Sequence, residues 1–147
     1  MFPLVDIGHD GKFELRVVDW TFAYWNTGFA YSPVVMIFYV WRDGQYVFAP
    51  ELIRRPHLSP EELERMAQKL SWDDADPTSF EGVPTTFWAD LLDLIGTGNA
   101  DQIDVFTEIA WPHAKAGKER FLASFREQLR KSPYIADLRS LNGAALL

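Results

Sequence analysis

The stretch PVVMIFYVWRDGQYVF, residues Pro33 to Phe48, decides how the first half of the chain folds. Its apolar part is rich in β-branched and aromatic side chains, which favour strands. Asp43-Gly44 then interrupts the apolar run, and such a pair supplies the left-handed residues that a two-residue hairpin turn needs. The stretch therefore predicts a β-hairpin with strands over 34–41 and 45–48.

The sequence before this hairpin predicts a further strand. FELRVVDW, residues 13–20, alternates along its length, with Phe13, Leu15 and Val17 on one face. The intervening residues NTGFAYSP are rich in turn formers and predict a loop. Together these segments predict an antiparallel sheet of about three or four strands.

The sequence after Pro56 changes to helical signals. Ser59-Pro60-Glu61-Glu62 is a capping box with proline at the first helical position. Apolar residues at helical spacing then predict a helix over about 59–70 and four more, over about 86–95, 99–112, 118–131 and 132–138. We expect Gly96 to end the second helix, Asn99 with Gln102 to cap the third, and the tail 144–147 to fray.

Strands first and helices afterwards are typical of an α+β domain. The prediction is an N-terminal antiparallel sheet of about three or four strands, followed by a C-terminal set of four or five helices packed on one side of it. The 147 residues fit a single domain, mainly β over 1–58 and mainly α over 59–147.

Composition excludes several classes of protein. The chain has no cysteine, which removes disulfides, thiol nucleophiles and zinc-thiolate sites. Its longest apolar run, residues 33–41, is too short to span a bilayer, so we expect no membrane span. The first residues have no basic region followed by an apolar run, so we expect no signal peptide within these 147 residues.

Charge is distributed unevenly along the chain, whose formal net charge is −7. Residues 59–108 hold twelve acidic and two basic side chains, whereas residues 109–147 hold three acidic and seven basic ones. An acidic protein disfavours nonspecific binding to phosphates, so we expect no nucleic-acid partner. The basic C-terminal segment is expected to pack beside the acidic middle helices of its own chain.

The loop DIGHDGKFE, residues Asp6 to Glu14, has the composition of a metal-binding loop. Calcium cages are built from carboxylates at alternating positions of a tight loop, a backbone carbonyl, and glycine where the chain turns sharply. An EF-hand would also need Glu at the twelfth position, where this chain has Val17. The pattern therefore indicates a different kind of calcium loop.

The spacing resembles the calcium loop of FG-GAP and VCBS repeats of integrin-like β-propellers, D-x-[DN]-x-D-G-x-x-[DE], over about residues 4–18. The resemblance implies calcium as a cofactor and four ligands: the side chains of Asp6, Asp10 and Glu14, and the carbonyl of Lys12. Gly8 departs from the pattern, which has Asp or Asn there, so weaker calcium binding is expected. The alternative is a polar turn whose metal site has been lost. With one motif and no blade-length repeat, no propeller is expected.

The whole chain, from this loop through VWRDGQYV to the helical half, also resembles a set of uncharacterised exported bacterial proteins. That resemblance implies a periplasmic or secreted location. It implies no activity.

The segment DWTFAYWNTGFAYSP, residues 19–33, holds the second candidate site. Aromatic rings beside a loop can form a platform on which a sugar, a peptide or a base stacks. The candidate ligand-binding residues are Trp20, Tyr24 and Trp25. Phe22 and Phe29 are expected in the core, and for Trp25 and Tyr31 the core remains an equal alternative.

No catalytic motif is present in the sequence. There is no G-x-S-x-G, HExxH, P-loop or dinucleotide-binding glycine pattern, and His57 and His113 are isolated. The acidic cluster of Asp73, Asp74 and Asp76 is expected to be a solvated loop. We therefore expect a protein that is not an enzyme.

Three hypotheses for function follow. The first is a non-enzymatic binding or interaction domain with an Asp-rich loop that holds calcium. Its partner is an unidentified protein or small ligand. The second is a small hydrolase of carbohydrate or peptide, with carboxylates or His113 as acid and base groups and the Trp20–Trp25 region as its platform. The third is an intracellular partner-binding protein that uses the acidic helices.

Overall fold

The computed structural model describes residues 4–73 and 78–146. Within these ranges the N-terminal part forms a four-stranded antiparallel sheet with the order β1-β2-β3-β4. The strands are β1 (Leu4–Val5), β2 (Glu14–Asp19), β3 (Val35–Arg42) and β4 (Gln45–Phe48). The predicted sheet and its hairpin are confirmed.

The hairpin turn has the geometry that its sequence predicts. Arg42 pairs with Gln45, which leaves Asp43 and Gly44 as the two turn residues. Their φ angles are 48° and 85°, and positive values at both positions are what the tight hairpin turn requires.

Five α-helices follow the sheet in the described residues, which confirms the α+β fold class. They are α1 (Pro60–Gln68), α2 (Thr85–Gly96), α3 (Ile103–Ala110), α4 (Lys118–Leu129) and α5 (Ile135–Asn142). Short 3-10 turns occur at Phe29–Tyr31, Pro50–Leu52, Ala100–Gln102 and Gly143–Leu146.

The helices cover one face of the sheet. Val17, Val35 and Ile37 lie on that face and belong to the same hydrophobic core as Phe87 and Trp88 of α2. Successive residues of a strand point to opposite faces, so Arg16, Met36 and Phe38 belong to the other face. None of these three residues belongs to the hydrophobic core cluster.

The capping box at α1 is formed as predicted. The Ser59 hydroxyl accepts a hydrogen bond from the Glu62 backbone at 3.2 Å, and the Glu62 carboxylate accepts one from the Ser59 backbone at 2.7 Å. Proline occupies the first position of the helix. Three local signals therefore act together at this helix start.

Asn99 and Gln102 do not cap α3, contrary to prediction. The Asn99 amide donates to the carbonyls of Arg55 and Pro56, and the Gln102 amide both donates to and accepts from the backbone of Leu58. These bonds tie the connection before α1 to the start of α3. The side chains satisfy distant backbone groups in place of their own helix end.

Two further predictions are wrong, one about the end of helix α2 and one about the C-terminal tail. Gly96 remains inside α2, and the left-handed residue after the helix is Gly98, with φ +83°. The tail is not frayed up to its last described residue, because residues 143–146 form a 3-10 turn and Leu146 is buried in the core.

A buried carboxylate joins the sheet to the helices. Asp19, at the end of β2, accepts a hydrogen bond from the Ser132 hydroxyl at 2.6 Å, and Ser132 lies between α4 and α5. The other carboxylate oxygen of Asp19 accepts hydrogen bonds from the backbone N–H and the hydroxyl of Thr21. Gln128 of α4 donates to the Thr21 carbonyl. The start of the loop after β2 is thereby fixed to the helical layer.

The basic side chains of α4 pair with acidic residues of the middle segment, as expected from the charge pattern. Lys118 lies 2.5 Å from Glu108, Arg126 lies 3.4 Å from Asp104, and Arg120 pairs with Glu81. The pairs are largely exposed, so each contributes little to stability. They nevertheless show that acidic side chains of the middle segment lie beside the basic helix α4.

Asp90 of α2 gives the fold a testable pH dependence. Burial raises the pKa of Asp90 to about 6, and the nearby Asp93 carboxylate adds to the rise. The carboxyl of an Asp in the unfolded chain has a pKa near 3.9. The protonated Asp90 of the folded state therefore makes its full contribution to stability below about pH 4, and this contribution is lost as the pH rises through about 6. We expect Asp90→Asn to be more stable than wild type at pH 7.5, with the difference shrinking towards pH 4. Urea unfolding at both pH values measures this.

The matched control is Glu64→Gln on α1, which makes the same carboxylate-to-amide change at an exposed position. Equal unfolding free energies for Asp90→Asn and wild type at both pH values would contradict the raised pKa of Asp90.

Candidate functional site

The loop over residues 20–34, which joins β2 to β3, exposes four aromatic side chains. Their exposed fractions are 50% for Trp20, 71% for Tyr24, 48% for Phe29 and 58% for Tyr31. Large aromatic side chains are normally buried, so four exposed ones within one loop indicate a contact surface. We call these four residues the aromatic platform.

Three rings of the platform form a continuous stack. The ring centroids of Trp20 and Phe29 are 5.1 Å apart with planes inclined by 18°, and those of Tyr24 and Phe29 are 5.3 Å apart with planes inclined by 33°. Both distances lie in the range of favourable aromatic pairs. Phe29 therefore lies between Trp20 and Tyr24 and supports both rings.

Hydrogen bonds inside the loop hold this stack in place. The Ser32 hydroxyl accepts from the Tyr24 backbone at 3.0 Å and donates to the Gly28 carbonyl at 3.2 Å. Tyr24 has a φ of 59°, a conformation that non-glycine residues adopt only when their surroundings fix it. The Phe29–Tyr31 turn then brings the Phe29 ring back over Trp20. The platform is thus part of an ordered loop.

Trp25 does not join the other two predicted ligand-binding residues. Its ring packs edge-on against Phe22 at 5.2 Å, and against Trp88 and Phe121 at 5.7 Å each, so it is partly buried against the hydrophobic core. Phe22 is buried as expected. Phe29 was expected in the core and is exposed instead, because the turn after Gly28 directs it back onto Trp20.

The platform carries polar groups at its edges. The Trp20 indole N–H and the hydroxyls of Tyr24 and Tyr31 have no hydrogen-bond partner among residues 4–73 and 78–146. These groups are available to a ligand that lies on the rings. The surface therefore combines apolar ring area with one donor and two groups that both donate and accept.

A second exposed aromatic pair lies at the hairpin. Trp41 and Tyr46 face each other across β3 and β4, with ring centroids 5.0 Å apart. The pair extends beyond the core cluster and is exposed. It contains two rings on a regular hairpin, whereas the platform has four on a folded loop.

The Asp-rich loop is closed by its own carboxylates. Asp6 accepts hydrogen bonds from the backbone N–H groups of Asp10 and Gly11 at 3.1 Å each, and Glu14 accepts one from Ile7 at 2.9 Å. The Lys12 backbone N–H donates to Asp10 at 2.9 Å and lowers the pKa of that carboxyl. Each predicted side-chain ligand thus already accepts from a backbone group.

No group of three or more acidic or histidine side chains is arranged to hold a metal ion in the part of the chain that the structure describes. Calcium binding by Asp6, Asp10, Glu14 and the Lys12 carbonyl therefore stays a prediction. It requires the carboxylates to turn towards an ion while the loop keeps its shape.

The two histidines considered for a hydrolase do not converge in the described residues. His57 pairs with Asp101 at 3.1 Å just before α3, whereas His113 is exposed just after it. The eight residues of α3 span about 12 Å, so the two histidines lie near opposite ends of that helix. Asp74 and Asp76 of the predicted acidic cluster lie outside the described residues.

Of the platform residues, Phe29 was predicted to lie in the core, and for Tyr31 the sequence left core and platform as equal alternatives. Gly28 and Ser32 flank the two aromatic residues, and both residue types are common in turns. That signal was present in the sequence.

Comparisons with protein-family models, curated proteins and solved structures gave no match. None of the helices in residues 4–73 and 78–146 has both the length and the apolar character needed to cross a membrane.

The hydrogen bonds of the Asp-rich loop predict the effect of Asp6→Ala. Two backbone N–H groups lose their acceptor, so we expect the free energy of unfolding to fall by about 1 kcal/mol in the presence of a chelator. Urea unfolding measures this loss. Lys12→Ala is the matched control, because it keeps the carbonyl predicted to bind calcium and removes only an exposed ion pair with Asp10.

The same experiment in excess calcium tests the metal prediction. A calcium ion at about 100 times its dissociation constant raises the stability of wild type by about 2.7 kcal/mol. A rise of this kind that Asp6→Ala removes is the result the metal prediction requires. Identical wild-type curves in millimolar calcium and in chelator would contradict it.

Proposed function

We propose that the chain is a non-enzymatic binding domain and that the aromatic platform is its contact surface. The observation that carries this proposal is the exposed, ordered stack of Trp20, Phe29 and Tyr24. Packing these rings against each other leaves their outer faces and edges in water, a cost that a ligand would relieve.

The chemistry of the platform favours a neutral carbohydrate as the ligand. Its four side chains include no carboxylate, ammonium or guanidinium group, so the platform offers no ion-pair partner to a charged ligand. A sugar ring presents an apolar face of C–H groups and a rim of hydroxyls. The rings would cover the apolar face, while the Trp20 N–H and the two tyrosine hydroxyls would bond the rim.

Preorganisation supports binding at this loop. Trp and Tyr side chains have only two rotatable bonds each, so little conformational entropy is lost when a ligand fixes them. The loop is already held by Ser32 and, through Thr21, by Asp19. A ligand therefore meets a formed surface and does not have to order one.

The alternatives have less support. A small hydrolase needs two acid-base groups on one cleft, and His57 and His113 lie at separate ends of α3. A partner-binding role of the acidic helices competes with α4, whose cations pair with Asp104 and Glu108. A periplasmic or secreted location stays a prediction, as does calcium in the Asp-rich loop.

The binding proposal predicts the effect of Trp20→Ala on carbohydrate binding. The experiment measures wild-type mobility in native gels containing soluble polysaccharides, including β-glucan, α-glucan, xylan and mannan, followed by calorimetry with the matching oligosaccharide. We expect at least one polysaccharide to retard the protein, and Trp20→Ala to weaken binding about tenfold or more. Loss of a stacking contact worth about 1.4 kcal/mol gives this factor.

Trp41→Ala is the matched control, because it removes an equally exposed indole at the other aromatic pair. It should bind as wild type does. The carbohydrate proposal fails if no polysaccharide in the panel retards the protein. Equal losses in Trp20→Ala and Trp41→Ala would show that the platform is not the specific surface.

A further inference from the structure

A second site is indicated by a cleft of about 570 Å³ that shares none of the platform residues. It begins on the outer face of the sheet at Arg16 and Phe38 and reaches the C-terminal end of α2 at Asp93 and Thr97. Residues 52–55 form another of its walls. The volume lies within the usual range for small-molecule sites.

The apolar part of the cleft is extensive. Strand and loop residues from both sides contribute hydrocarbon surface: Val5, Ile7, Met36, Phe38, Leu52 and Ile53. Met36 is 42% exposed, so part of this surface is in contact with water. β4 pairs with β3 only over residues 39–42, and this leaves the first part of β3 beside the cleft.

The charged side chains of the cleft are mostly cationic. Arg16, Arg54 and Arg55 line it together with one acidic residue, Asp93, although the whole chain has a net charge of −7. Arg54 donates to the neutral carbonyl of Leu141, so its charge is not compensated there. Arg55 lies 3.9 Å from Asp93, and this exposed pair is weak.

Arg16 is the residue whose surroundings point most directly to a ligand. Its Nε is shielded from solvent and has no hydrogen-bond partner in the described residues, and no carboxylate there lies within ion-pair distance of the guanidinium. A shielded N–H group without an acceptor is costly and marks the guanidinium as incompletely paired. An anion contacting the remaining nitrogens of the guanidinium would form charge-assisted hydrogen bonds there.

We propose that this cleft binds a small organic carboxylate with an apolar hydrocarbon body, of the size of a medium-chain fatty acid. The carboxylate would meet Arg16, with Arg54 and Arg55 contributing positive potential, and the hydrocarbon would lie on Met36 and Phe38. Guanidinium and carboxylate match in geometry and can form two parallel hydrogen bonds. This site is independent of the aromatic platform and of the carbohydrate proposal.

The test is calorimetric titration of the protein with decanoate below its micelle concentration. Decanol provides the same hydrocarbon without the charge, and acetate provides the charge without the hydrocarbon. We expect decanoate to bind at least tenfold more tightly than either. Arg16→Gln should weaken decanoate binding at least tenfold, whereas Arg130→Gln, an exposed arginine outside the cleft, should leave it unchanged.

A second variant keeps the test decisive if Arg16→Gln does not fold. Met36→Glu changes an exposed position and places a carboxylate in the cleft, so it should abolish decanoate binding by repulsion. Equal affinities for decanol and decanoate would overturn the proposal, as would equal affinities for acetate and decanoate. Unchanged decanoate binding in Met36→Glu would also overturn it.

Discussion

The buried hydrogen bond between Asp19 and Ser132 is the constraint on which the arrangement of this protein depends. It joins the end of β2 to the turn between α4 and α5, across 113 positions of sequence. Removing the Ser132 hydroxyl would leave one buried carboxylate oxygen of Asp19 without its hydrogen bond, which is costly. Because Thr21 bonds the same carboxylate, the loop that bears the platform begins at a fixed point.

Much of the fold could be predicted from the sequence because its signals are local. The turn at Asp43-Gly44 and the capping box at Ser59 each depend on residues within four positions of one another. The order of strands and helices then gave the α+β class. These features need no knowledge of distant contacts.

The candidate site was less predictable, because its residues are sorted by tertiary packing. Trp25 and Phe29 lie four residues apart in one aromatic segment, yet Trp25 packs against Trp88 while Phe29 stacks on Trp20 in water. The same limit applies to Asn99, whose amide donates to the carbonyls of Arg55 and Pro56, more than 40 residues away. The cleft that holds Arg16, Arg54 and Arg55 is assembled from β2, residues 52–55 and α2, so no sequence motif marks it.

We propose that ligand binding uses the exposed rings of the loop after β2 and not the other aromatic residues of the chain. The chain has six tryptophans, whose indole N–H signals can be followed separately by NMR during titration with an oligosaccharide that the protein binds. We expect the Trp20 signal to shift most, with little change at the buried Trp88 or at Trp41 on the hairpin. A Trp20 signal that stays in place while the Trp41 signal shifts would contradict it.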